Sequence, residues 1–182
     1  MKFNNWKIET IDMILPEEFF KLISKNKNHI KKTFPVTVSN CLDIAKATDF
    51  INNNIQKQEN KENYFFYIRN NETNKLIGYV CVKNIKLDIL KCELAYFVDE
   101  AFEGQGIISK AVSQTIEFCF EELKMNKIFI CTSKVNKASQ QIALKHNFIQ
   151  EGILREEFKN HEGILEDIVY FGLLKSDYQN EK

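Results

Sequence analysis

Apolar residues recur along this chain at two spacings, and the order of those spacings predicts the elements. Residues 12–15 read as a short strand. A helix then opens at Pro16, whose missing N–H costs nothing in a first turn, and it turns Phe19, Phe20, Leu22 and Ile23 towards a core. A second helix is expected from about Ser39 into INNNIQKQENKEN (51–63), where Ile51 and Ile55 stand four apart. YFFYIRNNETNKLIGYVCVKNI reads as a hairpin, two apolar runs joined by an Asn-rich turn. In KCELAYFVD, Glu93, Ala95 and Phe97 share one face of a strand and Leu94, Tyr96 and Val98 the other. After FEGQGIISKAV, the residues Ile108, Val112, Ile116, Cys119 and Leu123 recur at helical spacing. KIFICTS is a buried strand, NKASQQIALKHN a helix and DIVYFGLL a last strand. The order β-α-α-β-β-β-α-β-α-β mixes hairpins with at least one βαβ crossover, so the class is α/β or α+β with a mixed, helix-flanked sheet. No repeat interrupts it and both prolines fall early, which points to one domain over residues 1–182.

Composition narrows the function classes. The net formal charge is zero and only Arg69 and Arg155 are arginines, so a broad basic surface for nucleic acid is not expected. The first residues contain no apolar run suited to a signal peptide, and no uninterrupted apolar stretch approaches the ~20 residues that span a bilayer. A soluble, cytoplasmic protein without membrane partners is the expectation. The five cysteines form no C-x-x-C pair and read as buried reduced thiols. His29, His146 and His161 have no mutual spacing suited to a metal, so none is implied. Apolar residues on both faces of the C-terminal strands are compatible with self-association.

The glycine turn carries the chemistry. Gly104 and Gly106 lie where a strand gives way to a helix, and a helix start offers unpaired N–H groups and the positive end of the macrodipole. Glycine lets the backbone come within hydrogen-bonding reach of phosphate oxygens. GQGIIS supplies G-x-G-x-x-S, without the third glycine of a dinucleotide fingerprint and mid-chain rather than after a first strand. Glu121 and Glu122 fall at a helix end, not at the tip of a second strand where a ribose-binding acid belongs. A purely structural tight turn is the other reading of this segment alone.

Downstream stands V135-N136-K137-A138-S139 and then H146-N147-F148-I149-Q150-E151-G152. Taken together, VDEAFEGQGIISKA and V-N-x-x-S…NF-x-x-EG resemble the GNAT superfamily of N-acetyltransferases, closest to the ribosomal-protein N-terminal (serine/alanine) acetyltransferases. The likeness runs from about Glu93 to Leu174, with IDMILPEEFFKLI similar to the family's opening strand and helix. It implies a mostly antiparallel sheet whose splayed strand pair forms an acyl-CoA cleft, with acetyl-CoA as co-substrate. It further implies that the main chain of Phe97 and Val98 holds pantetheine, and that Glu103, Gly104, Gln105, Gly106, Ile107, Ile108 and Ser109 wrap the pyrophosphate. Glu103 replaces the family's usual Gln or Arg, and Ile108 its usual small residue. Glu103 brings a negative charge that Lys110 is expected to offset.

Asn136 is a preferred helix N-cap, and the resemblance adds a contact to the cofactor's arm. Ser139 is a first-turn serine or, by resemblance, a hydroxyl near the thioester sulfur. The tyrosine that many relatives use to protonate the departing thiolate is replaced by Ala143, which leaves Ser139, water, or no proton at all, since a thiol with pKa ~8.5 leaves tolerably as thiolate near neutrality. Asn147 stands where relatives have glycine, and Asn tolerates the left-handed conformation. Only an uncharged amine attacks a thioester. An α-amine with pKa ~7.7–8.0 is neutral far more often near pH 7.5 than a lysine with pKa ~10.4, a gap of more than two decades. The resemblance and this gap favour a protein N-terminus, of ribosomal-protein type, as acceptor. A polyamine or other small amine is the alternative, and a non-catalytic acyl-CoA-binding module lies outside the enzyme class. Glu93, beside the cleft, and Glu157, in the loop lining the acceptor side of relatives, are candidate general bases; each also reads as an ordinary strand or surface charge. Glu151, Glu156, Glu157, Glu162, Glu166 and Asp167 read as a solvated acidic face or, at an acceptor mouth, as an attractor of cations.

Overall fold

The computed structural model describes residues 5–179. Their strands form one sheet in the order β1-β2-β3-β4-β5-β7-β6. These are β1 (Trp6–Thr10), β2 (Tyr64–Asn70), β3 (Leu76–Lys86), β4 (Lys91–Val98), β5 (Lys127–Ser133), β6 (Ile149–Lys159) and β7 (Leu165–Leu174). The pairs β1–β2, β5–β7 and β6–β7 are antiparallel, and β4–β5 is the parallel one. The mixed, mostly antiparallel sheet flanked by helices is the one expected. Two compact units divide the chain, residues up to Cys81 with Tyr96–Ala111, and Val82–Ala95 with the residues from Val112 onward.

In the first unit, α1 (Pro16–Ile30), α2 (Pro35–Ser39) and α3 (Ile44–Glu59) enclose an aromatic core. Phe19 is fully buried; its ring stacks on Phe50 at 5.6 Å and meets the edges of Tyr67 and Tyr79 at 5.7 and 5.9 Å. Two expectations need correction. Residues 12–15 are not a strand: the strand is Trp6–Thr10, and Ile11–Met13 is a 3₁₀ turn. Ile11 and Ile14 are both buried at a spacing of three, which is turn periodicity rather than strand alternation. The second helix does not run from Ser39. Pro35–Ser39 is a short helix of its own, and α3 starts at Ile44 because the Asp43 carboxylate accepts a hydrogen bond from the Lys46 N–H at 2.8 Å.

Arg69 ties this unit together. Its side chain is buried, and its guanidinium donates to Glu9 at 2.6 Å, to both oxygens of Glu18 at 2.8 and 3.0 Å, and to the Asn74 carbonyl at 2.7 Å. One cation thereby links β1, α1 and the β2–β3 turn through a fork that matches carboxylate geometry.

In the second unit, α4 (Ile107–Glu121, shared with the first), α5 (Lys137–Lys145) and α6 (Lys175–Gln179) accompany the C-terminal strands. Ile128 and Ile130 of β5 and Val169, Phe171 and Leu173 of β7 are buried along with Ile116, Cys119 and Phe120 of α4. The alternate positions of the same strands carry Lys127, Phe129, Cys131, Ser133 and Tyr170, with the rings of Phe129 and Tyr170 stacked at 5.0 Å. β6 is an element the sequence pattern does not predict. Its residues are nearly all exposed, and its pairing with β7 shifts register between Gln150 and Gly152 and again between Leu154 and Phe158, so no period of two survives.

Replacing Arg69 by Met should destabilise the protein by about 3–5 kcal/mol, because two partly buried carboxylates lose their counter-ion. The pH profile gives a second readout. Burial pushes the Glu9 carboxyl up, but hydrogen bonds from Lys7 and Arg69 outweigh it and hold it below its ordinary 4.5. The Arg69 fork likewise holds Glu18 below 4.5. Depressed folded values mean stability that is complete above pH 4.5 and lost as pH falls through them. Urea melts across pH 3–6 should show a shallower acid decline in Arg69→Met than in the wild type.

Candidate active site

The parallel ladder between β4 and β5 couples Lys91 to Lys127, Cys92 to Ile128 and Glu93 to Phe129. Past that last pair, β4 continues to Val98 and β5 to Ser133, with β5 pairing on its other side to β7 all the way to Ser133. Phe97 and Val98 end β4 and are buried, the Phe97 ring standing edge-on to Tyr79 at 5.0 Å. Gly78 fixes their place. A Cβ at position 78 would lie 2.5 Å from the Phe97 carbonyl oxygen and 3.0 Å from the Val98 Cα, so only glycine lets β3 come this close. Beside it, the Asp99 N–H donates to the Ile77 carbonyl at 2.6 Å. Sequence reasoning passed over Gly78, although an isolated glycine inside a strand pattern is itself the sign of a close backbone approach.

A 3₁₀ turn (Glu100–Phe102) leads to the glycine pair, and α4 begins at Ile107. Gly104 and Gly106 have φ of +70° and +73°, the left-handed region that favours glycine. A Cβ on either would meet nothing of the chain within 4 Å. The glycines are therefore demanded by backbone conformation, and the space before them is open to a ligand. The first N–H groups of a 15-residue helix lack intrahelical partners by construction. A diphosphate fits this combination of open approach, turned backbone and positive helix end. The Glu103 carboxylate lies 3.0 Å from His29 Nε2, Oε1 to nitrogen, and among the described residues no ion pair joins it to Lys110. Gln105 donates to the Ala101 carbonyl at 3.3 Å, Ile107 and Ile108 are buried, and Ser109 is half-buried.

In the second unit, Asn136 caps α5, its Oδ1 accepting from the Ser139 N–H at 3.1 Å. Ser139 lies half-buried on the first turn. Ala143 is fully buried and Asn147 adopts φ +60°, so asparagine closes this helix in the conformation glycine would otherwise supply.

Glu93 is buried and engaged: its carboxylate accepts from Asn84 at 2.6 Å and pairs with Lys83 at 3.3 Å. Glu157 is exposed, and it lies within strand β6, in the register shift between Leu154 and Phe158, rather than in a loop. Both carboxylates act on Cys131. Burial first, and then the negative charges of Glu93 and Glu157, push this thiol up to about 12 against the pull of Lys83 and Lys91. Tyr170, directly across from Cys131 on β7, is likewise pushed up to about 12 by burial and by Cys131, Glu151 and Glu93. At neutral pH both groups keep their protons. Much of the acidic C-terminal third is paired within the unit. Glu151 meets Lys127 at 2.5 Å, Asp167 meets Lys134 at 2.7 Å, and Glu166 accepts from Ser133 and Asn160 at 2.8 and 2.6 Å.

Residues 17–149 match the family described as "Acetyltransferase (GNAT) domain", and the chain belongs to that family. It is an N-acetyltransferase. It is 34% identical over 107 residues to a protein of Bacillus subtilis called "Putative ribosomal N-acetyltransferase YdaF", a match spanning 59% of this chain and 58%, under two thirds, of that protein. It is 30% identical over 144 residues to the ribosomal-protein-serine acetyltransferase of Escherichia coli, covering 78% of each. Among solved structures, a spermidine N-acetyltransferase from Vibrio cholerae, in complex with CoA and spermine, superposes with a TM-score of 0.79 at 18% identity, covering 98% of this chain and all of that one. That likeness is one of fold.

Two measurements test this geometry. Gly78→Ala should cost about 1–3 kcal/mol of stability through overpacking of backbone against backbone, read by denaturant melts. Cys131→Ser should keep turnover within about twofold, and the wild-type thiol should react slowly with iodoacetamide at pH 8, because a protonated cysteine is neither nucleophile nor base.

Proposed function

We propose that this acetyltransferase takes acetyl from acetyl-CoA and delivers it directly to the N-terminal α-amine of a protein, of ribosomal-protein type. The observation that carries the reading is the pair of left-handed glycines at the head of α4, reached from a β4 end whose ladder with β5 has stopped. Main-chain N–H groups over 104–109 hold the coenzyme's diphosphate, and the peptide groups of Phe97 and Val98 hold its arm as a neighbouring strand would. The bound thioester supplies the activated acetyl group. The Ser139 hydroxyl passes a proton to the leaving sulfur and regains one from solvent, Asn136 orients that end of α5, and the amine's proton goes to Glu93 or to Glu157, which releases it to solvent. No covalent intermediate is needed, since the Cys131 thiol stays protonated.

Two arguments select the acceptor. An α-amine is already partly neutral near pH 7.5, so a buried, paired carboxylate such as Glu93 need do little as a base. The acidic residues that a polyamine would require are largely bonded to Lys127, Lys134, Ser133 and Asn160. The relatives named for ribosomal proteins point the same way.

Calorimetry with acetyl-CoA tests the coenzyme site. Gly106→Val should weaken binding by about tenfold or more, since it disturbs the backbone donors themselves. Unchanged affinity would sink the site. Thiol release measured on peptides with N-terminal Ser or Ala, against spermidine at equal concentration, tests the acceptor. The peptides should be turned over at least about tenfold faster, as their larger neutral fraction requires. Faster release with spermidine assigns the enzyme to small amines, and binding without release on any amine assigns it a sensing role. Glu93→Gln and Glu157→Gln, compared across pH 6–9, identify the base as the one whose loss removes the acid limb of kcat.

A further inference from the structure

A cavity of about 470 Å³ opens in the first unit between α1, the β2–β3 turn and the end of β4, a volume in the range of small-molecule sites. Its walls are unlike those expected around a coenzyme's arm. Leu22, Leu76, Ile77 and Phe102 form the apolar part, and Lys21, Lys25 and Lys75 rim it along with Glu18 and Asp99.

The charges around this rim do not cancel locally. Glu18 is held by both arms of the Arg69 fork. Asp99 is held by Lys25 at 2.6 Å and by the Ala101 N–H at 3.1 Å. Lys21 stands near enough to Glu18 to help hold that carboxyl below its ordinary range, a weaker partner than the Arg69 guanidinium. Among the described residues no ion pair within 4.0 Å involves Lys21 or Lys75, and both side chains are exposed. Two flexible ammonium groups thus stand over an apolar floor, and the carboxylates beside them are already bonded to other cations. A point charge on a four-carbon stem suits a small anion approached from several directions.

We propose that this cavity binds an organic anion with an apolar or aromatic body, the body lying on Leu22, Leu76 and Phe102 and its carboxylate, sulfonate or phosphate meeting Lys21 and Lys75. The site is separate from the one that takes the coenzyme. Its wall nonetheless includes Phe102, one residue before the loop 103–106, and Asp99, which the Lys25 bridge anchors to α1. An occupant resting on Phe102 therefore acts on the turn that presents the diphosphate-binding backbone, as an effector.

The test uses the full chain and 8-anilinonaphthalene-1-sulfonate, an aromatic body carrying one negative charge, with its uncharged parent N-phenyl-1-naphthylamine as control. The sulfonate should bind saturably at one site. In the double variant K21Q/K75Q its Kd should rise by about tenfold, the loss expected for two ammonium contacts near a surface, while the uncharged parent binds both proteins alike. Saturating CoA should shift the Kd of the sulfonate in the wild type by a finite factor without competing it off, because coupling between two sites is reciprocal, and an unchanged Kd overturns the effector role. Both replacements are at exposed positions, and an unaltered melting temperature will show that the variant is folded. Absence of saturable binding, an equal Kd in the variant, or displacement of the probe by CoA each overturns the proposal; displacement would give the cavity to the coenzyme and leave the acetyltransferase reading intact.

Discussion

The end of β4 has no freedom of position, because the backbone of β3 touches it. At Gly78 two main chains approach so closely that a single methyl group has no room, and the Asp99 N–H closes onto Ile77 directly beside that contact. With this edge of β4 fixed, its other edge stops pairing with β5 after Glu93. The turn that follows leaves β4 at a set height, so the left-handed glycines and the first turn of α4 arrive in a fixed place. Gly78 thus fixes the position of the β4 end.

Charge is distributed to the same end. Arg69 neutralises Glu9 and Glu18 inside the first unit, and lysines of β5 and its following turn neutralise Glu151 and Asp167 in the second. A chain with equal numbers of acidic and basic residues has thereby converted many of its acids into structural ties. What remains around Cys131 is a small, specific group: Glu93 buried and oriented by Asn84 and Lys83, Glu157 at a bulge, and Tyr170 kept as a phenol. Near the surface most such pairs stabilise little.

The departures from the family's pattern have local physical answers. Glu103, which would repel a diphosphate, lies with its carboxylate 3.0 Å from Nε2 of His29 in α1, a residue that no spacing in the sequence links to it. Asn147 takes the left-handed turn in place of glycine, and the Phe148 N–H still closes onto the Ala143 carbonyl at 3.0 Å. Ala143 is fully buried, and the start of the same helix is capped by Asn136, whose side chain accepts from the Ser139 N–H.

Sequence alone determined the elements whose patterning is strong and local. The helix at Pro16, the hairpin of β2 and β3, the amphipathic α4 and the buried β5 each follow from one periodicity and one set of caps, and the glycine pair announces its own backbone conformation. Other features depended on contacts between distant residues. β6 has exposed residues and two register shifts, so nothing in its own composition marks it as a strand; β7 makes it one. Residues 12–15 share their apolar content with a strand, and only the joint burial of Ile11 and Ile14 in the aromatic core distinguishes the turn. The same holds for Arg69 with Glu9 and Glu18, His29 with Glu103, and Glu93 with Asn84. Each partnership joins residues whose separation along the chain carries no period, and a side chain's environment is set by what folds against it rather than by what precedes it.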